Sequence, residues 1–207
     1  MSSDRRVWLV RHGETEGQSS IRFHGANDVP LSDVGRAQIR DLVPLLGGAH
    51  FSRVLHSPLS RATESTQILV DALAQEGGAS DLTTSTDERL REISFGACEG
   101  MTREEIDDAY PSFWSDYEAG KLDAFPLGEA RSAFAARVTS VIEDLVVDDW
   151  HGDALLVAHR GTVKHAICSL LGEPDAPRGK YGVDLGSLSV LRHSGVGWQI
   201  ELLSMRP

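Results

Sequence analysis

Two apolar runs, Val7-Trp8-Leu9-Val10 and Leu155-Leu156-Val157-Ala158, constrain this chain more than any other feature. Each is short and offers no polar residue to water, so each reads as a strand buried on both faces. Strands of that kind belong to a parallel sheet covered by helices on each side. Both runs also stop at the same kind of residue. Arg11-His12-Gly13-Glu14-Thr15 follows the first and His159-Arg160-Gly161 the second. In an open α/β sheet, ligands bind beyond the carboxyl ends of the strands. The sequence therefore delivers two imidazoles with flanking arginines to the place where a ligand is expected, and Gly13 lets the backbone turn tightly and approach that ligand closely.

The rest of the chain alternates strands with helices, which predicts a three-layer α/β/α sandwich with a mostly parallel central sheet. Ser32 is placed to cap a helix running to about Leu46, with Pro44 kinking it or ending it early. A strand is predicted over Phe51 to Leu55, and a helix from Ser60 to about Ala74. Gln75 to Ser80 reads as a turn before a weaker strand at Leu82 to Thr86. Gly100 to Gly128 breaks the alternation. Thr102 and Glu105 form a capping box there, and a second short helix is expected near Pro111. Phe113, Trp114 and Tyr117 lie at helical spacing in that segment, which usually means packing and leaves substrate contact as the alternative. A helix over Glu129 to Val147, a strand over Ala154 to Ala158 and a helix over Thr162 to Leu171 follow. Ser187 to Leu191 and Trp198 to Leu203 read as a closing hairpin around Gly195 and Gly197. The expected organisation is one domain over residues 1–207 with a lid insert around residues 100–128.

At these motifs the chain resembles the phosphoglycerate-mutase-like branch of the histidine phosphatase superfamily. The resemblance rests on the two histidine segments, on Ser57-Pro58-Leu59-Ser60-Arg61-Ala62-Thr63-Glu64, and on Leu90-Arg91-Glu92-Ile93-Ser94-Phe95-Gly96. It extends to Arg22-Phe23-His24-Gly25, to Pro30 through Gln38, and to Pro126-Leu127-Gly128-Glu129. It implies His12, Arg11, Arg61, Glu92 and His159 as the catalytic set. Thr15 and Gln18 match positions where the family places small polar or amide residues on the phosphate. His24 and Gly25 fall where mutases place a substrate-contacting Thr-Gly pair. Glu99 resembles a structural acid of the family. The resemblance also implies a metal-independent reaction without a cofactor. Gln18 stands in place of the common asparagine, Gly17 of a common tryptophan, and Cys98 of a frequent tryptophan. Arg160 stands where most relatives carry glycine, and its side chain either adds a cation to the site or points into solvent.

The residues suit phosphoryl transfer, which needs an in-line nucleophile, cations around the equatorial oxygens and a proton for the leaving oxygen. Neutral His12 can attack phosphorus through one ring nitrogen while the other donates to backbone and fixes the tautomer. Arg11 and Arg61 offer planar forks that match phosphate oxygens. His159, as an imidazolium beside the bound dianion, would stabilise transition-state charge, and the plain alternative is a core histidine satisfied by backbone. Glu92 takes the proton-donor role by resemblance, and would need burial to stay protonated near neutrality. Glu88 reads as half of a surface charge pair, and Glu14 as structural.

Twenty basic against thirty-one acidic residues give a formal charge of −11, which argues against a nucleic-acid surface. A local positive pocket on such a body can still attract a small phosphate. Cys98 and Cys168 lack metal or redox spacing and read as reduced thiols. No stretch approaches a membrane span or a signal-peptide core, so a cytoplasmic monomer or homodimer is expected. No cluster of Asp, Glu and His has ligand spacing, and the runs at Glu104-Glu105, Asp107-Asp108 and Asp148-Asp149 read as solvated helix faces and ends. Between Glu104 and Lys121 there is no Lys or Arg, so a mutase, which must hold a second anion, is poorly provided for. The expected function is hydrolysis of small phosphorylated metabolites through a phosphohistidine. A mutase, or a non-catalytic phosphate-binding protein on the same fold, remains the alternative.

Overall fold

The computed structural model describes residues 5–75, 82–148, 150, 152–174, 176 and 179–207. Six strands form one sheet: β1 (Arg5–Arg11), β2 (Phe51–His56), β3 (Thr83–Thr86), β4 (Asp153–Ala158), β5 (Leu188–His193) and β6 (Trp198–Met205). Their order is β3-β2-β4-β1-β5-β6. The first four run parallel, while β5 and β6 are antiparallel, so the mostly parallel α/β sheet anticipated from the sequence is the one observed.

The two apolar runs sit side by side at its centre, because β4 pairs with β1 and places Arg11 opposite Ala158. Successive side chains of a strand point to opposite faces, and both faces are covered here. Val7, Leu9 and Leu156 pack with Val138, Ile142 and Ile167 of helices α5 (Arg131–Val147) and α6 (Arg160–Leu171). Trp8, Val10, Leu155 and Val157 pack with Ile39 and Leu69 of helices α1 (Asp33–Leu42) and α2 (Ser60–Gln75). Each fully buried aliphatic side chain contributes about 1.5–3 kcal/mol. That is why these runs carry no polar interruption.

Several boundaries differ from the sequence-based expectation for identifiable reasons. Ser32 does cap α1, its side chain accepting from Gly35 N, but the α-helix stops at Leu42 and Val43–Leu46 continues as a 3₁₀ turn containing Pro44. Proline removes the donor that an α-turn would use. Ser60 is the first helical residue of α2 rather than its cap, and its N and Oγ both donate to Asp28 Oδ1 at 2.7 Å. Helix α5 starts two residues later than expected, and α6 starts at Arg160 with His159 as its cap position. Most of the turn expected over Gln75 to Ser80 lies outside the described residues, as do the N-terminal Met1 to Asp4 and Asp149.

Between β3 and α5, helices α3 (Arg103–Ala109) and α4 (Phe113–Glu118) form a separate cluster. The capping box at Thr102 and Glu105 is present. Phe113, Trp114 and Tyr117 pack against one another and Phe125, with ring centroids 4.8–6.2 Å apart. That contact set favours the packing reading of the aromatic stripe. The cluster is tied to the loop after β1, since Phe23 N donates to Met101 O and Gly100 N donates to Phe23 O.

Candidate active site

Three adjacent strands end at the same edge of the sheet. Beyond β2, β4 and β1 stand Ser57, His159 and His12. The imidazoles of His12 and His159 meet edge to face, with centroids 5.1 Å apart. Both are buried, His159 completely.

His12 Nδ1–H donates to Gly13 O at 2.7 Å, which leaves Nε2 as a lone pair. Burial, reinforced by the Arg61 and Arg11 charges, holds the ring well below the ordinary histidine pKa, so it is neutral. Gly13 itself serves a different contact from the one anticipated. A Cβ there would lie 2.3 Å from Gly35 O, so its close approach is to the start of α1 rather than to a ligand.

Burial and then the Arg61 charge likewise hold His159 well below the ordinary value. Its Nδ1 accepts from Arg61 Nε at 3.2 Å, and its Nε2–H donates to Ser57 Oγ at 2.7 Å. The expectation of an imidazolium is therefore corrected. A ring that accepts from a guanidinium is neutral.

Arg61 is fully buried and is not the open fork the sequence suggested. Besides His159, its Nη1 donates to Asn27 O at 2.7 Å and its Nη2 to His24 O and Gly25 O at 3.0 and 2.9 Å. A guanidinium has five N–H groups, so only one is left for a ligand. The loop that supplies those carbonyls is organised by Glu99, whose carboxylate accepts from the backbone N–H groups of Gly25, Ala26, Asn27 and Phe95. Arg11 is freer. Its Nη1 donates to Val183 O at 2.9 Å, while its Nε is buried without a partner among the described residues. Burial, with the Arg160 charge second, pushes its pKa down to about 10.

Glu92 is buried beside this group. Its Oε1 accepts from Ile93 N at 3.0 Å, and its Oε2 from Gly161 N at 2.8 Å, in the first turn of α6. Arg137 secures the segment that carries it. Arg137 donates to the carbonyls of Arg89, Arg91 and Glu92 at 2.6, 2.7 and 3.2 Å, and grips both oxygens of Glu129 at 2.7 and 2.8 Å.

The remaining sequence-based candidates are placed more loosely. Thr15 Oγ1 shares a hydrogen bond with Ser19 Oγ at 2.6 Å. Gln18 is exposed in the left-handed backbone region, φ 59°, at the turn that follows. His24 donates through Nε2 to Gly17 O, and its carbonyl serves Arg61 together with that of Gly25. Arg160 is exposed at the first turn of α6. Glu88 pairs with Arg91 at 3.3 Å, and Glu14 Oε1 accepts from Thr15 N at 2.8 Å. Arg137 was not singled out from the sequence, and Ser57 and Glu129 entered only as members of motifs, without a role. Among the described residues no group of three or more His, Cys, Asp or Glu is arranged to hold a metal, and no helix is long and apolar enough to cross a membrane.

A neutral histidine with a free Nε2, two arginines and a buried carboxyl group thus lie together at the strand ends of an α/β sheet. Residues 7–206 match the profile of the histidine phosphatase superfamily (branch 1), and the chain belongs to that family. It is 32% identical to the glucosyl-3-phosphoglycerate phosphatase of Mycolicibacterium vanbaalenii over 82% of this chain and 76% of that one. It is 31% identical to the adenosylcobalamin/alpha-ribazole phosphatase of Salmonella typhimurium over 90% of this chain and 89% of that one. The crystal structure of a putative alpha-ribazole-5'-P phosphatase from Escherichia coli superposes with a TM-score of 0.83 at 25% identity, covering 97% of this chain and 96% of the other. The family and the phosphatase class expected from the sequence are both borne out.

Proposed function

We propose that this protein hydrolyses small phosphomonoesters in two in-line displacements through a phosphohistidine on His12, with no metal in either step. The observation that carries the proposal is the fixed tautomer of His12. Its Nδ1–H is committed to Gly13 O, so Nε2 is the nucleophile.

In the first step Nε2 bonds to phosphorus and the P–O ester bond breaks, the departing oxygen taking a proton from Glu92. Arg11, whose Nε has no partner among the described residues, neutralises the equatorial oxygens, and Arg61 contributes its remaining N–H. His159 stays neutral beside His12, its Nδ1 accepting from Arg61 and its Nε2–H donated to Ser57 Oγ, rather than acting as a cation. In the second step the Glu92 carboxylate takes a proton from water, the oxygen attacks phosphorus, and the P–N bond breaks. One water is consumed; the alcohol and inorganic phosphate are released. The segment 100–128 serves as a lid over the strand ends.

Relatives named as phosphatases of glucosyl-3-phosphoglycerate and alpha-ribazole phosphate support a small phosphorylated metabolite as substrate. Hydrolysis rather than mutase transfer is supported by the cations in and beside the lid segment. Arg103 pairs with Glu118, Lys121 with Asp116 and Arg131 with Asp123, which leaves none of these for a second anion. Free Cys98 and Cys168 suit a reducing, cytoplasmic setting.

The test is chemical trapping. Enzyme mixed with labelled phosphomonoester and quenched in alkali should retain label on His12, and acid quench should release it. Turnover by His12→Ala at the wild-type rate, or label that survives acid, would overturn the reading.

A further inference from the structure

Three buried histidines, His12, His56 and His159, stand at the ends of the central strands, and main chain fixes the tautomer of two of them. His12 Nδ1–H donates to Gly13 O at 2.7 Å, and His56 Nδ1–H donates to Ser57 O at 2.9 Å. A carbonyl can only accept, so Nε2 is the bare nitrogen in each ring, and His56 uses it to accept from Thr86 Oγ1 at 3.1 Å. His159 is the opposite case. Its Nδ1 meets the Arg61 Nε–H at 3.2 Å and its Nε2 meets Ser57 Oγ at 2.7 Å, so two side chains set its tautomer. A guanidinium can only donate, which makes Nδ1 the acceptor and leaves the neutral ring an Nε2–H to place. Ser57 Oγ takes it. Both residues are fully buried, where solvent does not replace a lost partner. Ser57 is itself held on all sides. Its N donates to Val157 O of β4 at 3.1 Å, its carbonyl accepts from His56 and from Thr63 Oγ1 at 3.4 Å, and its Oγ also accepts from Leu59 N at 3.3 Å. The hydroxyl oxygen is thereby fixed to β2, β4 and the start of α2 before any ligand arrives, and the ring it holds lies edge to face with His12.

We propose that Ser57 is a positioning residue for phosphoryl transfer: it holds His159 in the Nε2–H tautomer that accepts from Arg61, and through that ring it seats the imidazole of His12 for attack on phosphorus. The proposal rests on the phosphomonoesterase reading given above. Removing the hydroxyl leaves a buried N–H without an acceptor. Moving that proton to Nδ1 relieves it but turns an N–H toward the Arg61 Nε–H, so the ring loosens either way. The groups that meet the phosphate are held independently. Arg61 keeps the carbonyls of His24, Gly25 and Asn27, and Arg11 keeps Val183 O. The cost of losing Ser57 therefore falls on kcat and not on affinity for phosphate.

Two measurements test this. In wild-type protein labelled with nitrogen-15 at histidine, long-range proton–nitrogen correlation should place the ring proton of His159 on Nε2 and those of His12 and His56 on Nδ1. A His159 proton on Nδ1 would overturn the proposal without any variant or turnover. The second measurement is a mutant cycle on kcat for 4-nitrophenyl phosphate. Ser57→Ala should lower kcat by about 10²-fold, the scale of a group misplaced by about 1 Å, while the inhibition constant of inorganic phosphate shifts by less than about threefold. In a His159→Ala background the same substitution should cost less than about twofold, because its route to His12 is gone. Should Ser57→Ala not fold, Ser57→Cys, with the weaker acceptor, enters the same cycle. Equal losses in both backgrounds, or an inhibition constant that rises in step with the fall in kcat, would overturn the proposal. If no phosphomonoester turns over, the hydrolase reading fails, and the spectrum of the variant, in which the His159 proton should leave Nε2, still decides whether Ser57 sets that ring.

Discussion

Adding one methyl group at Gly161 should disable the proton donor proposed above, Glu92, while leaving the fold in place. The Cβ of an alanine there would lie 2.5 Å from Glu92 Oε1, 3.2 Å from Glu92 Cδ and 3.3 Å from Phe134 Cζ. Ordinary contact begins at 3.4 Å, so the oxygen must retreat by about 1 Å, and a misplacement of that size can cost about 10²-fold. The carboxylate cannot swing aside freely, because its two oxygens are held by Ile93 N and Gly161 N. Moving it breaks a hydrogen bond to a buried group, on the order of 0.5–1.5 kcal/mol. The helix itself should not suffer. Gly161 is a helical residue of α6 with no left-handed backbone requirement, and alanine is the better helix former by about 0.5–1 kcal/mol. We therefore expect Gly161→Ala to lower kcat/KM for an alkyl phosphate by about 10²-fold. 4-Nitrophenyl phosphate, whose leaving oxygen needs no proton, should lose far less. The assay is kcat/KM for the two esters beside a urea unfolding midpoint. Equal losses on both esters with an unchanged midpoint would refute the role given to Glu92, and no loss on either would refute the account of how it is seated.

Two further outcomes follow from the same geometry. Arg137→Lys cannot grip Glu129 with two N–H groups and reach three carbonyls at once. It should cost alkyl phosphate hydrolysis about tenfold more than nitrophenyl phosphate hydrolysis, within the range for a general acid, and Arg137→Met should be worse on the same ratio. Stability should also depend on pH through His12 and His159, which stay neutral in the fold below the ordinary histidine value. The unfolded chain takes up those protons as pH falls through about 6.5 and the folded one does not. Stability is then complete above that value and declines below it, toward the folded-state values, by up to about 1.4 kcal/mol per pH unit for each ring. Urea unfolding between about pH 6.5 and pH 5 should show a shallower slope in His159→Gln than in the wild type; parallel slopes would contradict the buried neutral ring.

The parts of this molecule that were legible in the sequence are those a side chain announces. Val7 to Val10 and Leu155 to Ala158 could only be central strands, because nothing in them tolerates water on either face. His12 and His159 follow from where those strands stop. Boundaries went wrong where the deciding partner was distant or was main chain. Ser60 looked like a cap, but its hydroxyl goes to Asp28, thirty-two residues earlier.

The same limit explains Arg61. Its residue type and place in the motif were readable, yet three of its bonds go to carbonyls of residues 24, 25 and 27, and a carbonyl has no sequence signature. Those carbonyls face inward because Glu99 collects the N–H groups of the same loop, so the acid that looked merely structural sets how much of Arg61 a phosphate can use. Arg137 was overlooked for the corresponding reason, since it also works on carbonyls. Two arginines thus spend their donors fixing the loop and the segment that frame the reacting atoms, while Arg11 keeps an unpartnered Nε and Arg160 forms no bond at all among the described residues. The division has a physical logic. A guanidinium saturated with carbonyls is rigid and little available to a ligand, and one left unpaired is available but held in place only by its own backbone.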